Sequence, residues 1–452
     1  MNIESIYSSL PVFLQNIVIN AEGARLLLRR YGADYKNIEE KVAKRCLYSA
    51  DQLHEYRSKC LNEHLIQAYQ TPFWRSRFDE YDVKLNGNNP FEQIQKLPIL
   101  TKEEVKKNIF DIINPTIDSA NLISAHTSGT TGSGMIFKVT REMEKITFAT
   151  WWRFRRRHGI KKNDICAYFG GRSIVPIRQC KPPYWRFNMP NRQLMLSGYH
   201  LSESTACYYA KAICDANVKW MHGYPSLISL FADYVINQSL VVPPLTVVTT
   251  GSENLLASQK KKIEKAFNTK VVELYGQSEG VAIISECASR QLHVDEDYSC
   301  VEFISIEGSK NEYKIVGTNW HNKAFPLFRY DTGDVVTIDD KVKCTCSLSG
   351  RIVCSIDGRE EDYIVLENGV KVGRLDHPFK DMVNVREAQI IQKKDYTVLV
   401  RIVKGENYAD RDEKGLIKEL RKRIGKDVII NLEYVEKIWR TKTGKLRFVV
   451  KE

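Results

Sequence analysis

Five short runs of residues, between positions 127 and 448, carry the types and spacings that could do chemistry. The first is Thr127-Ser128-Gly129-Thr130-Thr131-Gly132-Ser133-Gly134. Its glycines let backbone amides approach an anion, and its hydroxyls can donate to it. It lacks the GKS/GKT ending of a Walker loop, and taken alone it also fits a flexible linker. The second is LYGQSEG, residues 274–280, with Tyr275, Gly276, Ser278 and Glu279. A flat ring there can stack on a base and a carboxylate can hold Mg2+ at a triphosphate, although a tight turn with an exposed Glu reads the same way. The third, FRYDTGDVV (328–336), sets Asp334 just after Thr332-Gly333, where a carboxylate can accept two ribose hydroxyls or close an Asx turn. The fourth is GREEDYIVLENGVKV (358–372), and the fifth is RTKTGKLRF (440–448) with Lys445; a lone TGK is by itself a solvated turn.

The elements that must position these runs follow from periodicity. Residues 1–95 are rich in helix formers and aromatics and read as helices, and Thr101 with Glu104 predicts a capping box that starts a helix at Lys102. From about 120 to 290, short apolar runs (DICAYFG, VKWMHG, LTVVTTG, VVELYG) alternate with helical stretches, the pattern of a mostly parallel sheet covered by helices. Ligands bind such sheets beyond the carboxyl ends of the strands, and Gly223, Gly251 and Gly276 stand at those ends. Residues 295–357 turn β-rich, and the segment from 363 reads β-β-helix-β. The fold class expected is α/β: a large N-terminal domain with mostly parallel sheets and a β-rich subdomain, plus a small mobile α+β C-terminal domain. Its parts are 1–95 (helical), 96–357 (core), 358–362 (hinge) and 363–452 (lid).

Composition excludes other classes. The chain has 452 residues, 43% hydrophobic and 27% charged, as in ordinary globular domains. No apolar run is long enough to cross a bilayer, and the start MNIESIYSSL lacks a basic leader, so a cytoplasmic location without membrane insertion is expected. The net charge of +12 is spread along the chain, and its densest clusters, Arg153 to Arg157 and Lys260 to Lys262, read as solvated helix faces; no nucleic-acid partner is expected. Eleven cysteines without a leader predict reduced thiols rather than a disulfide scaffold.

In this order and spacing the five runs resemble the signatures of the adenylate-forming (AMP-binding) superfamily: acyl-CoA synthetases, peptide-synthetase adenylation domains and luciferases. The segments LPILTKEEV, ECASRQLHVDED and GGRSIVPIRQCKPPYW resemble the phenylacetate–CoA ligases and their capsule-biosynthesis, CapK-like branch. The resemblance covers residues from about 60 to 450 and implies an ATP-dependent, AMP-forming acid–thiol or acid–amine ligase. It implies that Thr127, Ser128, Gly129, Thr130, Thr131 and Gly132 hold the β- and γ-phosphates. Gly251, Ser252 and Glu253 would line the adenine pocket, Tyr275 would stack on the base, and Gly276 and Ser278 belong to the same motif. Glu279 would ligate Mg2+, Asp334 would bind the ribose with Arg359 nearby, Glu361 and Asp362 would form the hinge, and Lys445 would bridge carboxylate and α-phosphate. The sequence departs from the family in having no lysine directly after the phosphate-loop glycines, Glu361 where an aspartate is usual, and Trp439 in place of a proline.

The cofactors implied are ATP, Mg2+ and, for one reading, CoA. The substrate is a small carboxylic acid; the acceptor is CoA or, alternatively, an amine, as on a sugar acid of a surface or capsular polysaccharide. His222, Tyr224 and Arg172 are candidates for the substrate pocket, and a homodimer is open. Finally, Cys287 and His293 in ECASRQLH, with Cys344 and Cys346 in KCTCSLSGR, can complete a tetrahedron for a structural Zn2+. The resemblance supports zinc there; buried free thiols with a hydrogen-bonded His293 are the alternative.

Overall fold

The computed structural model describes residues 3–452 apart from 88, 127–134, 171–173, 177, 253–254, 256, 308, 360–362, 368–370, 374, 376, 380–384, 405–407, 426–427, 437 and 439–448. The chain forms two compact units. One contains Met1–Ser124, Lys138–Thr332 and Thr337–Ser355; the other contains Ala125–Phe137, Gly333–Val336 and Ile356–Glu452.

The first unit begins with helices, as the composition predicts. Thr101 does cap the Lys102–Lys107 helix, accepting from the Glu104 amide at 3.3 Å. The reciprocal arm of the expected capping box is not made, because the Glu104 carboxylate pairs with Arg77 instead. Beyond these helices lies a nine-stranded sheet. Its centre is parallel, in the order Val271–Gly276, Val248–Thr250, Trp220–Gly223, Cys166–Gly170, Gln193–Ser197. Its flanks are antiparallel: Ile283–Glu286, Leu292–Val294 and Ile352–Val353 on one side, Trp185–Asn188 on the other. The central strands read as apolar runs because helices cover them. Phe169, Tyr209, Phe231 and Ile263 are fully buried in that layer, each worth about 1.5–3 kcal/mol of burial. Strands Cys300–Ser305 and Glu312–Thr318 pair antiparallel, the expected β-rich part.

The second unit holds a four-stranded sheet in the order Ile430–Tyr434, Val398–Lys404, Val385–Gln392, Val449–Lys451. The Asp410–Ile424 helix contributes Leu416, Leu420 and Ile424 to its core, against Ile390, Val400 and Ile402. The expected mixed α/β class is therefore met, with a large mixed sheet, an antiparallel β part and a small C-terminal sheet.

One reading of the charge runs is corrected. Arg153 is not on a solvated face: it is buried, its guanidinium 2.8 Å from both Asp295 and Asp297, and Arg45 reaches Asp297 at 2.9 Å. Lys260 and Lys262 are likewise ion-paired, to Glu286 at 3.0 Å and Asp233 at 2.8 Å. Helical spacing turns Arg153 inward and leaves Lys260 and Lys262 half-exposed in ion pairs, which a count of charges along the chain does not reveal.

Candidate functional site

The parallel strands deliver their carboxyl ends level with one another. Gly223 pairs with Thr250, and Thr250 with Glu273, so Gly223, Gly251 and the Leu274–Tyr275 segment form one row. The row is tight enough to require glycine. A Cβ on Gly223 would sit 2.2 Å from the Phe169 carbonyl, and one on Gly251 would sit 2.9 Å from that of Leu274. The Gly251 amide donates to the Gly223 carbonyl at 3.4 Å, and Ser252 beyond it has φ of 66° and is exposed. Bare backbone at the end of a parallel sheet is what a flat ligand needs for close approach.

Next to this row the chain turns. Tyr275 and Gly276 end their strand, Ser278 is exposed, and Gly280 closes the turn with φ of 68° and its amide on the Gln277 carbonyl at 3.2 Å. Glu279 lies in this turn and is only 6% exposed, far below what an unused surface glutamate would show. The buried Tyr330 hydroxyl donates to its Oε1 at 3.1 Å. The Asn319 side-chain amide donates to its backbone carbonyl at 2.9 Å, and Asn319 Oδ1 accepts from the Leu327 amide at 2.8 Å. Tyr330 thus directs the carboxylate, and Asn319 holds the backbone that carries it. Asn319 and Tyr330 were not singled out from sequence; Tyr330 stands inside the FRYDTGD run and could have been. Gln277 was also missed: its side-chain oxygen and nitrogen are both buried without a hydrogen-bond partner among the described residues, a cost of about 1–3 kcal/mol that a ligand could relieve.

His222 stands on the Trp220–Gly223 strand, one residue before that row. Its Nδ1 lies 2.8 Å from the Thr249 hydroxyl and its ring stacks on Tyr168 at 5.7 Å. Burial, with the Arg155 charge, pushes its pKa down to about 3, so the ring is neutral at physiological pH. Tyr224 starts the Pro225–Asn237 helix, its amide on the Phe169 carbonyl at 3.0 Å.

The other sequence candidates are distributed as follows. Thr127, Ser128, Gly129, Thr130, Thr131, Gly132, Arg172, Glu253, Glu361, Asp362 and Lys445 lie outside the described residues. Asp334 belongs to the second unit, half-buried in the Tyr330–Thr337 strand after Gly333, whose φ is 72°. Arg359 ends the Ser355–Arg359 strand of that unit.

The four metal candidates do converge. The ligating atoms of Cys287, His293, Cys344 and Cys346 lie within 4.8 Å of one another. Cys287 follows the Ile283–Glu286 strand, and His293 sits on the next strand, Leu292–Val294, where it pairs with Ser285 and Ile352. Cys287 Sγ is 3.6 Å from Cys344 Sγ, and Cys346 Sγ is 3.4 Å from His293 Nε2. Zinc bond lengths give tetrahedral edges of about 3.8 Å between sulfurs and about 3.6 Å from sulfur to nitrogen, so the cavity fits. The surrounding groups suit a metal as well. His293 Nδ1 donates to the Gly350 carbonyl at 2.9 Å, which leaves Nε2 as the free lone pair. That carbonyl can approach only because residue 350 is glycine: a Cβ there would lie 2.0 Å from the Val294 carbonyl. Backbone amides of Gln291 and Cys346 donate to the sulfurs of Cys287 and Cys344, each at 3.4 Å. Burial opposes ionisation of Cys344, but the Cys346 amide, His293 and the neighbouring thiols outweigh it and hold its pKa down at about 6. Burial and the adjacent thiols push Cys346 up to about 11. A Cys3His cluster able to hold a metal is therefore built into the antiparallel flank of the sheet.

Comparison with known proteins agrees with this architecture. Residues 364–452 match the family described as the CapK C-terminal domain. The chain is 29% identical over 460 residues to Protein CapK of Staphylococcus aureus, covering 98% of each. Among solved structures it is similar to 2-hydroxyisobutyryl-CoA ligase in complex with 2-HIB-AMP and CoA (TM-score 0.58, 16% identity, 90% of this chain and 91% of that one). The same ligase in its postadenylation state with 2-HIB-AMP gives a TM-score of 0.57 over the same shares. The fold is similar to that of 2-hydroxyisobutyryl-CoA ligase, and the similarity to Protein CapK runs along nearly the whole chain.

Proposed function

We propose that this CapK relative is an ATP-dependent, AMP-forming carboxylate ligase. A carboxylate oxygen of the acid attacks the α-phosphorus of ATP, pyrophosphate leaves, and an acyl-adenylate remains. A thiol or amine then attacks the acyl carbon, and AMP leaves. The observation that carries the reading is Glu279: a buried carboxylate, aimed by Tyr330, in the turn that follows a row of glycine-edged strand ends. Glu279 would hold the Mg2+ of the nucleotide, Gly251, Ser252 and Glu253 would border the adenine, and Tyr275 would lie on its face. Thr127 to Gly132 would receive the β- and γ-phosphates and Asp334 the ribose, with Arg359 beside it. Lys445 would neutralise the repulsion between the two anions, an electrostatic contribution of the kind worth about 3 kcal/mol. Cys287, His293, Cys344 and Cys346 would hold a structural Zn2+, since four protein ligands leave no open position for substrate.

CoA is the acceptor we favour, on the likeness of fold to a CoA ligase. An amine acceptor, in surface polysaccharide assembly, is the second reading and rests on the character of the 170–185 segment. We place the enzyme in the cytoplasm. Pyrophosphate release from ATP across a panel of carboxylic acids, repeated with CoA and with amines, tests the whole proposal. Release that depends on one acid, followed by thioester or amide formation, is the expected result. Wild-type protein that releases no pyrophosphate with any acid would overturn it.

A further inference from the structure

The Val12–Arg30 helix packs inside out. Its inward face sets Gln15, Asn16, Asn20 and Gly23 among half-buried Val12, Ile19 and Leu26, and its amide side chains clamp the Trp185–Asn188 strand, the last strand of the large sheet. Asn20 Nδ2 donates to the Phe187 carbonyl at 3.0 Å, and the Met189 amide donates to Asn20 Oδ1 at 2.9 Å. The Arg186 Nε donates to Gln15 Oε1, also at 2.9 Å. Close approach is secured at Gly23, where a Cβ would lie 2.1 Å from Asn188 Oδ1. The outward face is the apolar one. Phe13, Ile17 and Leu28 are 64%, 57% and 71% exposed, with Ala21 and Ala24 between them on the same helical stripe. Met189 on the adjoining turn is 56% exposed. The stripe from Phe13 to Leu28 runs for about 22 Å at 1.5 Å per residue. Ordinary amphipathic helices do the reverse, and a patch of this kind marks an interaction surface.

We propose that this face docks on an anionic lipid bilayer, with the stripe lying in the plane of the interface. Three observations choose that occupant. Exposed Arg178, Lys181 and Arg192 frame the edge strand, and none of them has an ion pair among the described residues. Arg178 is held beside the stripe's start by a 3.3 Å bond to the Ser8 carbonyl. Apolar residues flanked by cations are the composition of interfacial helices, which bury their apolar face at the headgroup–acyl boundary. The edge strand itself is already covered by the helix's amide side chains, so a second copy cannot add to the sheet there. A chain of net charge +12 also repels its own kind and is drawn to a negative surface. The helix does not cross the bilayer: none in the protein is long and apolar enough among the described residues.

The test is co-sedimentation of the full chain with phosphatidylglycerol vesicles and with phosphatidylcholine vesicles. Binding to the first and not the second is expected, weakened by about 0.5 M salt because the Debye length falls to a few ångströms. The double substitution Phe13→Ser, Ile17→Ser should lower the bound fraction at least about ten-fold while leaving the melting temperature and the pyrophosphate assay unchanged, since both side chains are in solvent. Phe13→Trp provides a second reading: the emission of the introduced indole should shift to the blue with phosphatidylglycerol vesicles. The proposal is overturned if wild type ignores both vesicles, if the double variant binds as wild type does, or if the emission of the Phe13→Trp variant is unmoved. It is equally overturned if sedimentation equilibrium shows a dimer that the double substitution dissociates, which would make the stripe a subunit interface.

Discussion

Two sites stand at opposite ends of one short strand, and they are finished to different degrees. Ile283–Glu286 receives the chain from the turn that carries Glu279 and hands it on to Cys287. At the Cys287 end the site is complete in itself: three sulfurs and an imidazole converge, and the imidazole's second nitrogen is satisfied by Gly350. At the Glu279 end the scaffold is set but a partner is wanted. Strand ends are stripped to glycine, a carboxylate is aimed, and the Gln277 amide is buried without a mate among the described residues. The first arrangement suits a resident ion that holds an antiparallel hairpin in register. The second suits a substrate that arrives and leaves. The strand between them would give the proposed ion a role in the chemistry: bound there, it would secure the far end of the element whose near end carries Glu279.

The comparison breaks most visibly if the ion is removed. Cys346→Ser, or exhaustive chelation, should cost on the order of several kcal/mol of stability, because binding energy at a structural zinc is folding energy. Calorimetry should show a large fall in melting temperature, and elemental analysis should find about one zinc per chain in untreated wild type. Less than about one-tenth of an equivalent in protein never exposed to chelator would mean buried thiols only. Glu279→Gln, by contrast, should leave the melting temperature nearly where it was.

Acid probes the buried histidines of the first unit. Burial holds His64, His222 and His321 down at about 3, so each binds its proton far more readily once unfolded. Their contribution is intact above the unfolded pKa near 6.5 and is lost as pH falls towards 3. The expected slope is about 1.4 kcal/mol per pH unit for each histidine. Below about pH 4 the depressed Asp297, paired with Arg153 and Arg45, adds to the loss. Urea titrations at pH 7, 5 and 4 measure this; a stability flat from 7 to 5 would contradict it.

Smaller still is the loss expected from Tyr330→Phe, which removes one hydrogen bond to Glu279. A bond to a charged acceptor is worth about 1.5–3 kcal/mol, so kcat/KM for MgATP should fall by roughly ten- to a hundred-fold. An unchanged kcat/KM would mean that Tyr330 positions nothing. Last, Glu361→Pro should slow acyl transfer more than adenylation if residues 361–362 are a hinge. Equal effects on both steps, seen by comparing pyrophosphate exchange with product formation, would move the hinge elsewhere.

How much of this was legible in the sequence depends on the range of the interaction. The alternation of VVELYG and LTVVTTG with helical runs gave the parallel sheet, because strand and helix periods are local. The four candidate metal ligands were legible as residue types, but that residues 287–293 and 344–346 meet is a long-range fact of the fold. Glu279 was readable from its motif and Tyr330 stands inside another, but that they meet, and that Asn319 holds the same turn, was not, since these anchors sit 51 and 40 residues away. Arg153 was misread because a run of cations shows no inside or outside until helix contacts are known. The same limit applies to the Val12–Arg30 helix: the sequence marks residues 1–95 as helical, but not that Phe13, Ile17 and Leu28 stay exposed.

The central claim, that Glu279 and Lys445 serve adenylation on a stable scaffold, is tested most directly by acid-dependent ATP–pyrophosphate exchange in wild type, Glu279→Gln and Lys445→Ala. The account predicts exchange in wild type with a carboxylic acid that supports pyrophosphate release. It predicts a loss of at least about 10²–10³ in each variant, with melting temperatures and ATP binding by Lys445→Ala nearly unchanged. Wild-type exchange rates in either variant would contradict it.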